Sequence, residues 1–292
     1  MQTRTLSHVI AAVPTSDGAG VRLRRSIGAR QTQRLDPFLM LDEFSSDDAD
    51  DYIGGFPAHP HRGFETVTYM LDGHMRHEDH LGNTGDLVPG AVQWMTAGRG
   101  IVHSEMPQQS QGRMRGFQLW INLPAREKMQ PAAYRDIAPA LIPTVSQVDG
   151  TRIKVVAGTY VDGATSIDGP INPSTHRTST DPSYLDVALA PTARFEHAVY
   201  PEYSAFVYVY EGTLVVGDED GAATLRTHEA GVLSAGARIV LRAGREGARA
   251  LVLAGRPLRE PIVQYGPVVM NTREEIEQAI ADYQSGAFTR AA

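Results

Sequence analysis

The chain has 292 residues, enough for two domains, and 42% hydrophobic content, enough for ordinary buried cores. A formal net charge of −7 speaks against a general nucleic-acid binder. With no cysteine, disulfides, thiolate metal sites, iron–sulfur clusters and cysteine nucleophiles are excluded, so any metal must be held by imidazole and carboxylate.

The first residues, "MQTRTLSHVIAAVPTSDG", hold only a short apolar run without a signal-peptide layout. No segment approaches the roughly 20 apolar residues that span a bilayer, so the expectation is a cytoplasmic protein without a membrane partner. Short runs rich in Val, Tyr, Thr and Leu then follow one another between glycines and prolines. "FETVTYML" (64–71), "AVQWMTA" (91–97), "GFQLWINL" (116–123), "RIKVVAG" (152–158), "YLDVALA" (184–190), "AFVYVYEGTLVVG" (205–217), "GVLSAG" (231–236) and "ALVLAG" (250–255) all read as strands. So many short strands predict an all-β protein of barrel or sandwich type. Only "NTREEIEQAIADYQ" (271–284) is helical in pattern, with Thr272 and Glu275 spaced as a capping box and Ile276, Ala279, Ile280 and Tyr283 on one face.

The pattern also repeats. "TVTYMLDGHM" (66–75) and "FVYVYEGTLV" (206–215) share a strand, an acidic residue, a glycine turn and a second strand. Later, "MTAGRGIVH" and "LSAGARIVLRAG" share a glycine-rich turn leading into a strand. The layout predicts two similar β-domains meeting within 125–150, drawn as 1–135 and 136–292.

Histidine is concentrated in the first of them. His59, His61, His74, His77 and His80 lie between residues 54 and 86 and make up half of the ten in the chain. Strand residues two apart share a face, so His59 and His61 present two imidazoles side by side. "GRGIVHSEMP" supplies His103 and Glu105 in the same way. Two neighbouring strands would then gather three imidazoles and a carboxylate around one point. Glu65 keeps the parity of His59 and His61 if the strand stays regular past Gly63, so parity alone allows either glutamate. His74 follows the Asp72-Gly73 turn and is expected to be exposed. His77 and His80 differ by three and cannot act as a pair; a structural hydrogen bond is the expected role of His77. Arg62 is expected in a salt bridge or a surface contact, and Trp94, Met95, Phe117 and Trp120 in the barrel core.

"HPHRGFETVTY", "HEDHLGNTGD", "GAVQWMTAGRGIVHSEMP", "LDPFLMLDEF" and "PLREPIVQYGPVVMNTREEIEQAI" closely resemble the pirin family of the cupin superfamily. The resemblance runs from near the N-terminus to about residue 285. It implies a bicupin: two antiparallel jelly-roll barrels with a short C-terminal helix, and one Fe(II) per chain in the N-terminal barrel. The ligands it implies are His59, His61, His103 and Glu105, with Glu65 left to a supporting role, although the general cupin pattern would choose Glu65. Other divalent metals suit such a donor set as well. The second half keeps the layout and lacks the ligands. Aligning Asp72-Gly73 with Glu211-Gly212 places Ala198 and Tyr200 opposite His59 and His61, and Ser204 opposite Glu65.

Two activities follow from the resemblance. One is a quercetin 2,3-dioxygenase type of reaction, in which a flavonol-like aromatic substrate is opened with dioxygen and Glu105 serves as the catalytic base. The other is an iron-binding, redox-responsive interaction protein or transcriptional co-regulator without turnover. It would use a protein partner and make no direct nucleic-acid contact.

Overall fold

The computed structural model describes residues 2–218 and 222–289. The chain divides into two compact units, each built from separate stretches. One comprises Pro14–Gly28, Phe38–Pro139 and Leu258–Ala292, and holds the histidine cluster. The other comprises Met1–Val13, Ala29–Pro37 and Ala140–Pro257. The boundary expected near 135 lies close to one junction, Pro139/Ala140. The exchange of terminal stretches leaves no mark in the local pattern.

The histidine-bearing unit is built on two antiparallel sheets. The larger runs Ala133–Ile137, Val92–Thr96, Phe64–Asp72, Met114–Asn122, Phe38–Ser46, Val21–Arg25 and Val13–Asp17 from edge to edge. The smaller runs Phe56–His61, Ile101–Pro107, Met75–Asp79 and Thr84–Leu87. Phe64–Met70 is buried without interruption, so this strand is covered on both faces and alternation of burial is lost. Its Thr66 and Thr68 stand opposite Trp120 and Gln118 on the neighbouring strand, and these side chains share one face. Trp94, Met95, Phe117 and Trp120 are all buried, as a barrel core requires.

Gly63 explains how the chain passes from one sheet to the other. Its φ is +88°, in the region that favours glycine, and a Cβ there would stand 2.0 Å from the carbonyl oxygen of Val269. The Phe56–His61 strand therefore ends just before it, and Phe64–Asp72 begins just after it in the other sheet. Lys128 sits beneath this corner, its ammonium donating to the carbonyls of Gly63 at 2.7 Å and Val269 at 3.1 Å and to Asn122 Oδ1 at 2.6 Å.

The C-terminal stretch completes the same unit with a hairpin, Val263–Tyr265 and Val268–Met270, and a helix, Arg273–Ser285. The capping box of Thr272 and Glu275 forms as the spacing predicts. Ile276 and Ala279 are buried, but Tyr283, at the edge of the apolar stripe with its ring against that of Phe288, is 50% exposed.

The second unit is built on a nine-stranded sheet, with a separate hairpin of Thr159–Asp162 and Thr165–Asp168. In the sheet two long strands, Ser204–Val216 and Arg238–Gly255, each pair over two different stretches. The "YVYEGTLVV" stretch is thus a single bent strand with register shifts around Glu211 and Gly212, where the sequence suggested strand, turn and strand. The repeat is nevertheless visible in the backbone, since Gly73 (φ +91°) and Gly212 (φ +74°) adopt the same left-handed conformation. Leu185, Val187, Phe195, Val207, Val209 and Val252 form part of its core. The Leu6–Ala11 strand joins this sheet beside Glu229–Leu233.

Candidate metal centre

The smaller sheet of the first unit brings the two histidine motifs together by register. Phe56–His61 and Ile101–Pro107 are antiparallel neighbours, with His59 opposite His103 and His61 opposite Ile101. A register shift between His103 and Glu105 sets Glu105 opposite Phe56. The ligand atoms of His59, His61 and His103 lie within 4.8 Å of one another. His61 and His103 are buried and His59 half-buried.

The protons on these rings can be placed by their partners. His59 Nδ1 lies 2.8 Å from the carbonyl oxygen of Pro57, which can only accept, so Nδ1 carries the hydrogen and Nε2 is a bare lone pair. That lone pair faces His103 Nε2 at 3.0 Å, and His103 Nδ1 faces His77 Nδ1 at 3.2 Å. Both nitrogens of His61 are buried without a hydrogen-bond partner. Burial first, and the neighbouring imidazoles second, push the pKa of His61 and His103 well below 6.5, so both rings are neutral and keep a donor pair.

This arrangement fits a first-row divalent metal. Ligands at right angles on a six-coordinate ion with bonds of about 2.1 Å stand about 3.0 Å apart. A cation held by the Nε2 atoms of His59 and His103 would also meet the otherwise orphaned His61.

Glu105 is buried behind this trio, with Oε1 accepting from the Thr68 hydroxyl and Oε2 from the Gln118 amide, both at 2.9 Å. It lies outside the group of converging donor atoms, which among the described residues comprises the three histidines. Glu65 is also buried but points elsewhere: Thr96 donates to its Oε1 at 2.7 Å, and burial raises its pKa. The parity that linked it to His59 and His61 fails because the strand breaks at Gly63.

The other histidines divide as their surroundings dictate. His74 is half-buried rather than exposed, held by Asp86 Oδ1 at 2.8 Å. His80 stays at the surface and accepts from the Val102 amide. His77 makes the expected structural hydrogen bond, but to a ligand-set member, His103, and its ring also packs on Tyr134 at 4.6 Å. Arg62 is in a salt bridge with Asp282 at 2.7 Å, buried rather than superficial, and lies over the Phe288 ring.

A cavity of about 520 Å³ opens beside the imidazoles, and His59 and His61 form part of its wall. Leu39, Met40, Phe56 and Trp120 supply apolar surface, while Gln118 and Arg25 supply polar groups. Trp120 stands edge-on to His61 at 5.5 Å, and its indole N–H donates to Gln118 Oε1 at 3.3 Å. Arg25 is fixed on the buried Asp42 by contacts of 2.8 and 2.7 Å. Gln118 was legible as a polar residue sharing strand parity with Trp120. Arg25 had no comparable signal, because its placement depends on Asp42 across a strand pair.

Comparison with known proteins agrees with the fold. The family model described as Pirin matches residues 20–121, and the Pirin C-terminal cupin domain matches 184–289. A Pseudomonas aeruginosa protein that carries the provisional name quercetin 2,3-dioxygenase is 54% identical over 273 residues, covering 94% of each chain. Human pirin is 42% identical over 272 residues, 92% of this chain and 89% of its own. A crystal structure titled quercetin 2,3-dioxygenase, from Acinetobacter baumannii, superposes with a TM-score of 0.87 at 33% identity, covering 99% of both chains. Two cupin-like domains, a histidine trio in one of them and matches along nearly the whole length lead to one assignment: the chain belongs to the pirin family.

Proposed function

We propose that this protein is a metal-dependent dioxygenase that opens a flavonol-like substrate with dioxygen, using Fe(II) held by His59, His61, His103 and Glu105. The observation that carries the reading is three converging imidazoles, two of them on the wall of a cavity of about 520 Å³, a volume within the usual range for small-molecule sites. The names of relatives 54% and 33% identical support it.

When bound, the metal supplies Lewis-acid activation of the enolic oxygen and a template for dioxygen. The chain does the rest. Trp120, Phe56 and Met40 offer flat apolar surface for aromatic rings and exclude water. Gln118 and Arg25 provide donors that orient hydroxyl and carbonyl groups. A base must take the proton of the 3-hydroxyl, and Glu105 is the carboxylate assigned to it: one oxygen is held by Gln118, a residue of the cavity wall. Glu65 is bonded to Thr96 instead and is assigned a structural part. Ring opening releases carbon monoxide and leaves both oxygen atoms in the product.

The test is dioxygen consumption and carbon monoxide release with quercetin, on protein loaded with Fe(II) to one equivalent. Turnover that ends on chelation and returns on reloading supports the reading. Loaded protein that consumes no dioxygen rejects it and favours the interaction role. The ligand assignment has its own check: Glu105→Gln lowers metal affinity and Glu65→Gln preserves it, and the reverse result returns the carboxylate to Glu65.

A further inference from the structure

The second unit holds a cavity of about 340 Å³ of its own. It occupies the place that the internal repeat assigns to a site. Aligning Asp72-Gly73 with Glu211-Gly212 carries His59 and His61 onto Ala198 and Tyr200, and both of these line the cavity. The supporting strands correspond too. Phe56–His61 pairs with Ile101–Pro107 in the first unit, as Arg194–Ala198 pairs with the start of Arg238–Gly255 in the second. The hollow has been kept while two imidazoles have given way to a methyl group and a phenol.

What remains there is unsuited to a metal. His197 is its one imidazole, buried and bonded through Nε2 to the Ser183 hydroxyl at 3.1 Å. Asp181 is its carboxylate, and Asn172, Tyr203 and Arg177 already saturate it at 2.7, 2.6 and 3.1 Å. Arg256 approaches the same carboxylate at 3.8 Å and donates to the Tyr203 hydroxyl at 3.1 Å. Two guanidinium groups thus face one carboxylate at the edge of the hollow, and Arg177 also donates to the Thr159 hydroxyl, itself bonded to Asp168. Apolar surface lies open at the same place: Val161 is 51% and Tyr200 57% exposed. Pro182 and Val199 continue that surface inward.

We propose that this cavity binds a small aromatic carboxylate, with its ring against Val161, Pro182, Val199 and Tyr200 and its carboxylate on Arg177, assisted by the Ser183 hydroxyl. A guanidinium is the side chain that best matches a planar carboxylate; that of Arg177 is 37% exposed and so open to a ligand, and the neutral His197 adds no competing charge. The proposal is independent of the reaction at the first cavity.

The test uses the full metal-loaded chain, titrated with benzoate and with the uncharged isostere benzamide, and read by NMR of side-chain methyl groups. Benzoate can also meet the metal, so Val161 and Val199 report on the second cavity while Leu39 and Met40 report on the first. Saturable shifts at Val161 and Val199 are expected with benzoate, at an affinity about tenfold above benzamide, a difference of about 1.4 kcal/mol. Arg177→Gln should erase that difference. Because Arg177 also bonds Asp181, Tyr200→Ser provides a second variant at an exposed position, and it should weaken both probes severalfold. Shifts confined to Leu39 and Met40, equal binding of the two probes, or indifference to both substitutions would overturn the proposal.

Discussion

His77→Phe isolates the influence of a residue that touches no substrate and offers no bond to the metal. In the metal-free protein His103 can place its proton on Nε2, toward the bare Nε2 of His59 at 3.0 Å, and then accept at Nδ1 from His77 at 3.2 Å. Binding a metal through Nε2 forces the His103 proton to Nδ1, where His77 Nδ1 must accept it. Both tautomers therefore change together, and no proton leaves the site. Phenylalanine fills the same space against Tyr134 but can neither donate nor accept, so both states lose the bond, and the metal-bound state in addition strands a buried N–H. A buried donor left without a partner costs about 1–3 kcal/mol, and partners of ligating histidines are worth about 10–100-fold in metal affinity. The two scales agree, since 100-fold is about 2.7 kcal/mol. Competition for Co(II) against a chromophoric chelator should show this loss. An affinity within about threefold of wild type, in protein that still loses the metal on His103→Ala, would refute the tautomer argument.

Three further outcomes are expected. His197 has its pKa lowered from 6.5 to about 4 by burial, so the unfolded chain binds the extra proton first and stability falls as pH drops from about 6.5 toward 4. At about 1.4 kcal/mol per pH unit the loss approaches about 3 kcal/mol, and urea midpoints of His197→Asn should fall less steeply over that window. Lys128→Met strands the acceptors of Gly63, Asn122 and Val269 and should cost about 2–4 kcal/mol by chemical denaturation, together with weaker metal retention, because Gly63 follows His61 by two residues. Thr272→Ala removes the cap of the Arg273–Ser285 helix and should cost about 1 kcal/mol, read as a lower melting temperature, with metal content unchanged.

The metal cluster was legible because its information is local. His-x-His places donors by strand parity, and parity holds wherever the strand is regular, as it is through His59 and His61; Glu105 of His-x-Glu lies past a register shift and outside the converging trio. Glu65 shows the limit: four residues on from His61, Gly63 has moved the chain into another sheet and parity no longer applies. Most strands were legible for the same reason, and Glu211-Gly212 was misread as a turn because a bend within one strand uses the same residues. The interaction of His77 with His103 depends on the register between two strands, which no single segment encodes. Arg4 is the extreme case. It reads as a surface charge near the N-terminus, yet it is buried and donates to the carbonyls of Gly236, Ser234 and Tyr200.

The interleaving of the two units sets an order for assembly on the ribosome. A chain emerging from its N-terminus exposes His59, His61 and His103 early, yet Val269, which closes over Gly63, and Asp282, which anchors Arg62, are made only after the whole of the second unit. The Leu6–Ala11 strand waits in the opposite sense, since its partner Glu229–Leu233 is more than two hundred residues away. Neither half can therefore be released as a finished module by cutting the gene near its middle. A nascent chain stalled before residue 258 would carry all three imidazoles on two strands that still lack the C-terminal hairpin and helix. Stable metal capture then becomes a late event of synthesis, timed by the arrival of the last helix.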